Sequence, residues 1–382
     1  MVDAGRFLAP HSVRKSLPGH AGFRGYPGKT QMPVATTTIG AYPKPNFLAV
    51  GDWFDAAHGP DSEDPTTRYT EDVAHLGDQA DTMFARAAEA VIGDQLEAGI
   101  DILTDGEVRR ENYIHYHCRH IAGIDFDRLT EIVLREGSYT ARLPTITGPI
   151  RATDPFLPHD WKVAQAFTER PVKVTLPGPM TIGDTLADEY YADAGRRGAD
   201  LAVALNSEIL ALAEAGCRHI QIDEPLFARK VGEALDYGFD HIERCFQGVP
   251  EAVVRTVHMC CGYPDRLDNP DYPKAPKDCY LDLASAIDSS CIQAVSIEDA
   301  HRNNDLALLE RFTKTTVILG VVAIAKSRVE PTDEIAERLK GALEHIDQER
   351  LVAAPDCGLG LLGRDLALAK LKNLCAAARA VP

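Results

Sequence analysis

No stretch of this 382-residue chain approaches the roughly 20 consecutive apolar residues of a membrane-spanning helix. Basic charge is also scarce. Lys and Arg number 40 against 57 Asp and Glu, giving a formal charge of −17. Such a surface repels phosphate backbones and anionic lipid, so neither nucleic acid nor a membrane is an expected partner. The N-terminus has no apolar signal core, which argues against secretion. The chain also lacks an even, regularly spaced cysteine framework. Its nine cysteines are scattered through a large protein, a pattern of reduced thiols in a cytoplasmic compartment. There is no repeat of fixed period, and no GxGxxG follows the first β-rich run, so a dinucleotide fold is disfavoured.

Residues 1–31 stand apart from the rest. They hold Arg6, Arg14, Lys15, Arg24 and Lys29 against a single acid, Asp3. They read as a disordered extension or as an early start ahead of Met32, with an Arg-rich transit peptide as the alternative. From residue 32 to 382 the chain alternates short β-rich runs with longer helical stretches. The runs are TTTIGAYP at 36, IDILTDGE at 100, PTITGPI at 144, VKVTLPGP at 172, HIQIDEP at 219, TVHMCCG at 256, AVSIED at 294, TVILGVVA at 316 and LVAAPDCG at 351. Several are apolar on both faces, as covered parallel strands are. Helical stripes between them include Met83, Ala87, Val91 and Leu96; Leu201, Leu205, Ile209 and Leu212; and Ile335, Leu339, Leu343 and Ile346. Two of these helices end in Ala-Gly, at Gly99 and Gly216, a natural C-terminal stop.

The alternation predicts an α/β fold: a single (β/α)8 TIM-type barrel with an extended N-terminal segment. Nine runs are one too many, and PTITGPI is the expected extra. In a barrel, chemistry gathers at the C-terminal ends of the strands. Those ends hold Glu107, Asp223 and Glu224, His258 and Cys260, Glu298, and Cys357. Residues i and i+2 of a strand point the same way, so His258 and Cys260 share a face while Cys261 points away. With Cys357 they form a thiolate-rich set that suits zinc, and Glu298 is the natural fourth ligand. A redox Cys260–Cys261 pair and a buried structural corner are the competing readings of His-Met-Cys-Cys. The segment ENYIHYHCRH, with His115, His117, Cys118 and His120, reads as a loop or helix start covering the barrel mouth. A second metal site is its alternative reading.

TTTIGAYPKP, TDGEVRRENY, VKVTLPGPMTI, AGCRHIQIDEP, HMC and RLVAAPDCGL occur in the order and nearly the spacing of a known family. Together they resemble the catalytic C-terminal barrel of cobalamin-independent methionine synthase, over about residues 35–380. The chain is similar to the short single-barrel members of that superfamily, which also includes epoxyalkane:coenzyme M transferases. The resemblance implies zinc held by His258, Cys260, Glu298 and Cys357, and a homocysteine amino group held by Glu107 and Asp223. It places the substrate carboxylate against the backbone of Ile39, Gly40 and Ala41. Two departures stand out. Ala41 replaces the family's serine, and Ala323-Ile324-Ala325-Lys326 replaces an Asp-x-His-Ser stretch, leaving Lys326 to take part of the missing histidine's place. The implied activity is methyl transfer from 5-methyltetrahydrofolate to homocysteine, giving methionine. The alternative is alkylation of another thiol by another donor. The partners are thus a small-molecule thiol and a methyl or alkyl donor. A free thiol has a pKa of about 8.5, so only a small part is thiolate at neutral pH; zinc removes that barrier. Folate nitrogen leaves only when protonated, which calls for a general acid. Glu224 and Asp299 are the catalytic candidates for that role.

Overall fold

The computed structural model describes residues 33–54, 63–134 and 139–381. The expected disordered extension, residues 1–31, lies outside the described residues. Among the described residues there are eleven strands: β1 (Ala35–Thr36), β2 (Leu103–Thr104), β3 (Ile121–Leu134), β4 (Tyr139–Ala152), β5 (Val172–Pro177), β6 (Ala187–Asp188), β7 (His219–Asp223), β8 (Val254–Met259), β9 (Ala294–Glu298), β10 (Thr316–Val322) and β11 (Leu351–Pro355). Eight of them form one parallel sheet in the order β1-β11-β10-β9-β8-β7-β5-β2. A parallel bridge between Thr37 and Ile102 joins its two ends. The sheet thus curls into the TIM-type barrel that the β/α alternation predicts.

The strands are short and apolar on both faces because helices cover one side and the barrel interior the other. Every residue of β5, β9, β10 and β11 is buried. Ile39, Val254, Ala294, Ile318, Val352 and Ala354 form a small apolar cluster of their own. They come from five neighbouring strand segments and plug the inside of the barrel. A much larger cluster lies between strands and helices. The helices Ala80–Ala98 and Ala194–Ala215 both stop at a left-handed glycine, Gly99 (φ 97°) and Gly216 (φ 116°). A residue with a Cβ resists that conformation, so Ala-Gly ends the helix and turns the chain toward the next strand.

PTITGPI is indeed outside the barrel. It lies in β4, which pairs antiparallel with β3 and, through Thr145 and Ile146, parallel with β6. Strand β3 has no counterpart among the runs read from sequence. Its stretch IAGIDFDRLTEIVL mixes Asp125, Asp127, Arg128 and Glu131 with apolar residues, because the hairpin is open to water on much of its length. No helix of the described residues is long and apolar enough to cross a membrane.

Register is what assembles the site. Pro177 pairs with Asp223, Asp223 with His258, and His258 with Ser296. The C-terminal ends of β5, β7, β8 and β9 therefore lie level with one another.

Candidate active site

A pocket of about 100 Å³ opens at this end of the barrel. Ile39, Gly40 and Ala41 form one part of its wall, with Glu107 and Asp223 beside them. His258, Cys260 and Cys357 form another part, and Trp53, Phe54, Tyr113 and Tyr263 an aromatic part. Trp53 and Tyr263 are stacked at 6.5 Å between ring centroids, and Phe54 lies 5.6 Å from Tyr263.

Ligand atoms of His258, Cys260 and Cys357 all lie within 4.8 Å of one another, the one such His/Cys/Asp/Glu group among the described residues. His258 Nε2 is 3.4 Å from Cys357 Sγ. In tetrahedral zinc, bonds of about 2.1 Å to nitrogen and 2.3 Å to sulfur separate ligand atoms by roughly 3.5–3.8 Å. The triad is already near that spacing. His258 Nδ1 meets Ser296 Oγ at 2.9 Å, which fixes the ring with Nε2 toward the sulfurs. Cys260 is held well below the usual thiol range, chiefly by the neighbouring Cys357, and Cys357 is raised well above it by Cys260 and by burial. The residues present thus fit a thiolate-preferring metal.

Glu298 is buried beside this group but outside it. Its Oε1 accepts from the Cys261 amide at 2.9 Å. Burial, then Asp356 and Cys260, raise its carboxyl well above the ordinary range. Cys261 does point away, toward Cys279 Sγ at 3.9 Å and the Tyr280 hydroxyl at 3.1 Å.

Glu107 has φ 58°, a left-handed conformation unusual for a residue with a side chain, directly after Gly106 at φ 69°. The turn aims the carboxylate into the pocket. Thr175 Oγ1 donates to Glu107 Oε1 at 2.6 Å, and Arg110 lies 3.2 Å from the same oxygen. Burial nevertheless raises the Glu107 carboxyl above its ordinary value. Asp223 is pushed up to about 7, mainly by burial and against the pull of His258. Gln221 Nε2 donates to its Oδ1 at 2.6 Å. Two buried carboxyls with raised pKa values, side by side in a cleft, are poised for a cationic group.

Three residues expected at the site are elsewhere. Glu224 is fully buried, and its carboxylate accepts from the amides of Met180 (3.0 Å) and Thr181 (2.9 Å) and from Thr181 Oγ1 (2.5 Å). It caps the start of the helix Pro179–Asp184 instead of facing the pocket. Asp299 is bound by Arg338 Nε at 2.6 Å and Nη2 at 2.7 Å, behind the strand end. Neither lines the pocket; each carboxylate is held by its own partners instead. Lys326, expected to take part of the missing histidine's place, is exposed and outside the pocket wall. The turn at Ala325 is instead packed against His301, whose Nε2 accepts from the Ala325 amide at 3.2 Å. Of the ENYIHYHCRH segment, His115–Cys118 forms a short, buried helix. Sequence reading missed the aromatic wall and Arg229. The aromatics come from loops with no strand to flag them, and Arg229 sits beyond the strand end.

A family model described as the catalytic domain of cobalamin-independent synthase matches residues 34–380. A methionine synthase of Sulfolobus acidocaldarius is 30% identical over 346 residues, 89% of this chain and 90% of that protein. A methionine synthase of Thermococcus kodakarensis is 29% identical over 351 residues, 90% of this chain and 92% of that protein. Among solved structures, a B12-independent methionine synthase from a Shewanella species, in complex with selenomethionine, has a TM-score of 0.78 and 29% identity, covering 91% of this chain and 97% of that one. With the family model spanning nearly the whole described barrel, the chain belongs to the cobalamin-independent methionine synthase family.

Proposed function

We propose that this protein transfers a methyl group to the sulfur of homocysteine, giving methionine, at a zinc ion held by His258, Cys260 and Cys357. The observation that carries the reading is one pocket with two opposed chemistries. Sulfur and imidazole ligands line the same pocket as the carboxyls of Glu107 and Asp223. An amino-acid thiol has the matching ends. The selenomethionine bound by the Shewanella relative is an amino acid of the same kind as the proposed product.

Zinc bound there would lower the pKa of an incoming thiol and keep it nucleophilic. The chain's own residues do the rest. Ser296 holds the His258 ring. Glu298, buried beside Cys260 with its Oε1 on the Cys261 amide, would be the fourth residue to hold the metal. Glu107, steadied by Thr175 and Arg110, and Asp223 receive the ammonium and set the distance from nitrogen to sulfur. Ile39, Gly40 and Ala41 close the wall beside them. Trp53, Phe54 and Tyr263 offer a flat apolar surface to the ring system of a 5-methyltetrahydrofolate donor and keep water from the reacting carbon.

Cobalt substitution tests the site directly. Absorption of the cobalt-loaded protein should change on adding homocysteine and stay fixed on adding homoserine, which has no sulfur. Identical spectra with and without the thiol would rule out a thiol-binding metal.

A further inference from the structure

Arg229 is the one Lys or Arg among the residues lining the pocket. It ends the short helix Leu226–Arg229 that follows β7, and it is half-buried. Its Nε is buried and has no hydrogen-bond partner among the described residues. No carboxylate of the described residues lies within ion-pairing distance of it. Arg170, Arg255 and Arg302, half-buried and likewise without a carboxylate, donate to backbone carbonyls instead; among the described residues Arg229 has no such acceptor. Arg109, Arg110, Arg119, Arg338 and Arg364, also wholly or partly buried, each hold a carboxylate at 2.6–3.2 Å. A buried guanidinium donor without an acceptor is unfavourable by the desolvation it has lost. Its charge is felt at Tyr113, Glu224 and Cys260, so it faces the same space as the metal-binding sulfur. Glu224, the one carboxylate of these three, is already occupied by Met180 and Thr181.

We propose that Arg229 receives a carboxylate of the bound substrate. The inference rests on the reading of the pocket as an amino-acid thiol site and adds to it the group that selects the acid end. Glu107 and Asp223 account for an ammonium, and nothing else in the wall offers a positive charge to the carboxylate beside it. The Ala41 side chain carries no donor, so only the backbone there, which is uncharged, can share the contact. The guanidinium offers paired N–H groups matched to the two oxygens of a carboxylate. Two molecules could bring that group: the thiol acceptor, through its α-carboxylate, or the methyl donor, through a glutamyl carboxylate.

Titration of zinc-loaded protein, followed by the fluorescence of Trp53 in the pocket wall, distinguishes them. The ligands are homocysteine, 3-aminopropane-1-thiol (the same thiol and amine without a carboxylate), 3-mercaptopropionate (thiol and carboxylate without an amine) and 5-methyltetrahydrofolate. Arg229→Gln should bind homocysteine about 10- to 100-fold more weakly and 3-aminopropane-1-thiol unchanged, the size of one charge-assisted contact. Arg229→Lys should recover part of the loss. If the loss appears with the folate and not with homocysteine, the carboxylate is the donor's and Arg229 still receives it. Unchanged affinity for every ligand, or an equal loss with and without the carboxylate, would overturn the proposal. Should wild-type protein ignore homocysteine, the amino-acid reading fails. 3-Mercaptopropionate then decides Arg229 alone: a loss in Arg229→Gln keeps the carboxylate contact, and no loss removes it.

Discussion

Gly40→Ala places one carbon where the site has no room. A Cβ at that position would lie 2.5 Å from Glu107 Oε1, 3.2 Å from its Cδ and 3.4 Å from Thr175 Cγ2. Glu107 cannot retreat with its backbone, which is fixed in a left-handed turn at φ 58°. Its carboxylate must therefore swing away from Thr175 and Arg110, which hold it at 2.6 and 3.2 Å. A ligand ammonium would lose one charge-assisted hydrogen bond, about 1.5–3 kcal/mol, or roughly a 10- to 100-fold loss of affinity. Titration by Trp53 fluorescence measures it. Homocysteine should bind more weakly by that factor, and 3-mercaptopropionate, which has no amine, should change far less. Crowding also costs stability, about 1–3 kcal/mol. Glu107→Gln, of nearly the same volume, repeats the test without the added carbon. Wild-type affinity for homocysteine in both variants would refute the role given to Glu107.

Other consequences are as direct. Ser296→Ala frees the His258 ring and should weaken metal affinity about 10- to 100-fold in a chelator competition; an unchanged constant would show that the Ser296 contact does not matter. Asp299→Asn breaks the Arg338 pair and leaves the guanidinium poorly compensated, which should lower unfolding stability by about 3 kcal/mol while homocysteine binding persists; intact stability with lost activity would restore Asp299 to the chemistry. Glu208, in the helix Ala194–Ala215, is pushed by burial from 4.5 up to about 7, although the amides of Phe156 and Leu157 donate to it. Its folded pKa is raised, so its contribution to stability is full below about pH 4.5 and is lost as the pH rises toward 7. Glu208→Gln should therefore gain stability over wild type at pH 8, by an amount on the order of 2 kcal/mol, and little at pH 4; equal denaturation midpoints at both pH values would contradict the shift.

Much of this architecture is legible because barrel strands leave a plain mark. Runs such as TVILGVV are apolar on both faces, and Ala-Gly closes the helices before two of them. The hairpin strand β3 leaves no such mark, since one side of it meets water and its charges break the pattern. At the site, the two-residue period finds His258 and Cys260 and turns Cys261 away. The same rule separates Asp223 from Glu224: the first faces the pocket and the second, one residue on, turns to cap a neighbouring helix. It also separates Glu298, beside Cys261, from Asp299, bound to Arg338. An acid at a strand end is thus not enough to mark a proton donor; its parity along the strand decides which side it serves. Arg229 and the aromatic wall lie past the strands, where no periodicity applies and only tertiary packing brings them to the pocket.

Methionine formation is the most direct test of the central claim. Zinc-loaded protein is supplied with homocysteine and 5-methyltetrahydrofolate bearing a deuterated methyl group, and the product is read by mass spectrometry. The account predicts methionine carrying the deuterated methyl, lost in Cys260→Ser and Cys357→Ser along with the bound metal. Folded, zinc-replete protein that forms no labelled methionine would contradict it, as would either serine variant that forms methionine at the wild-type rate.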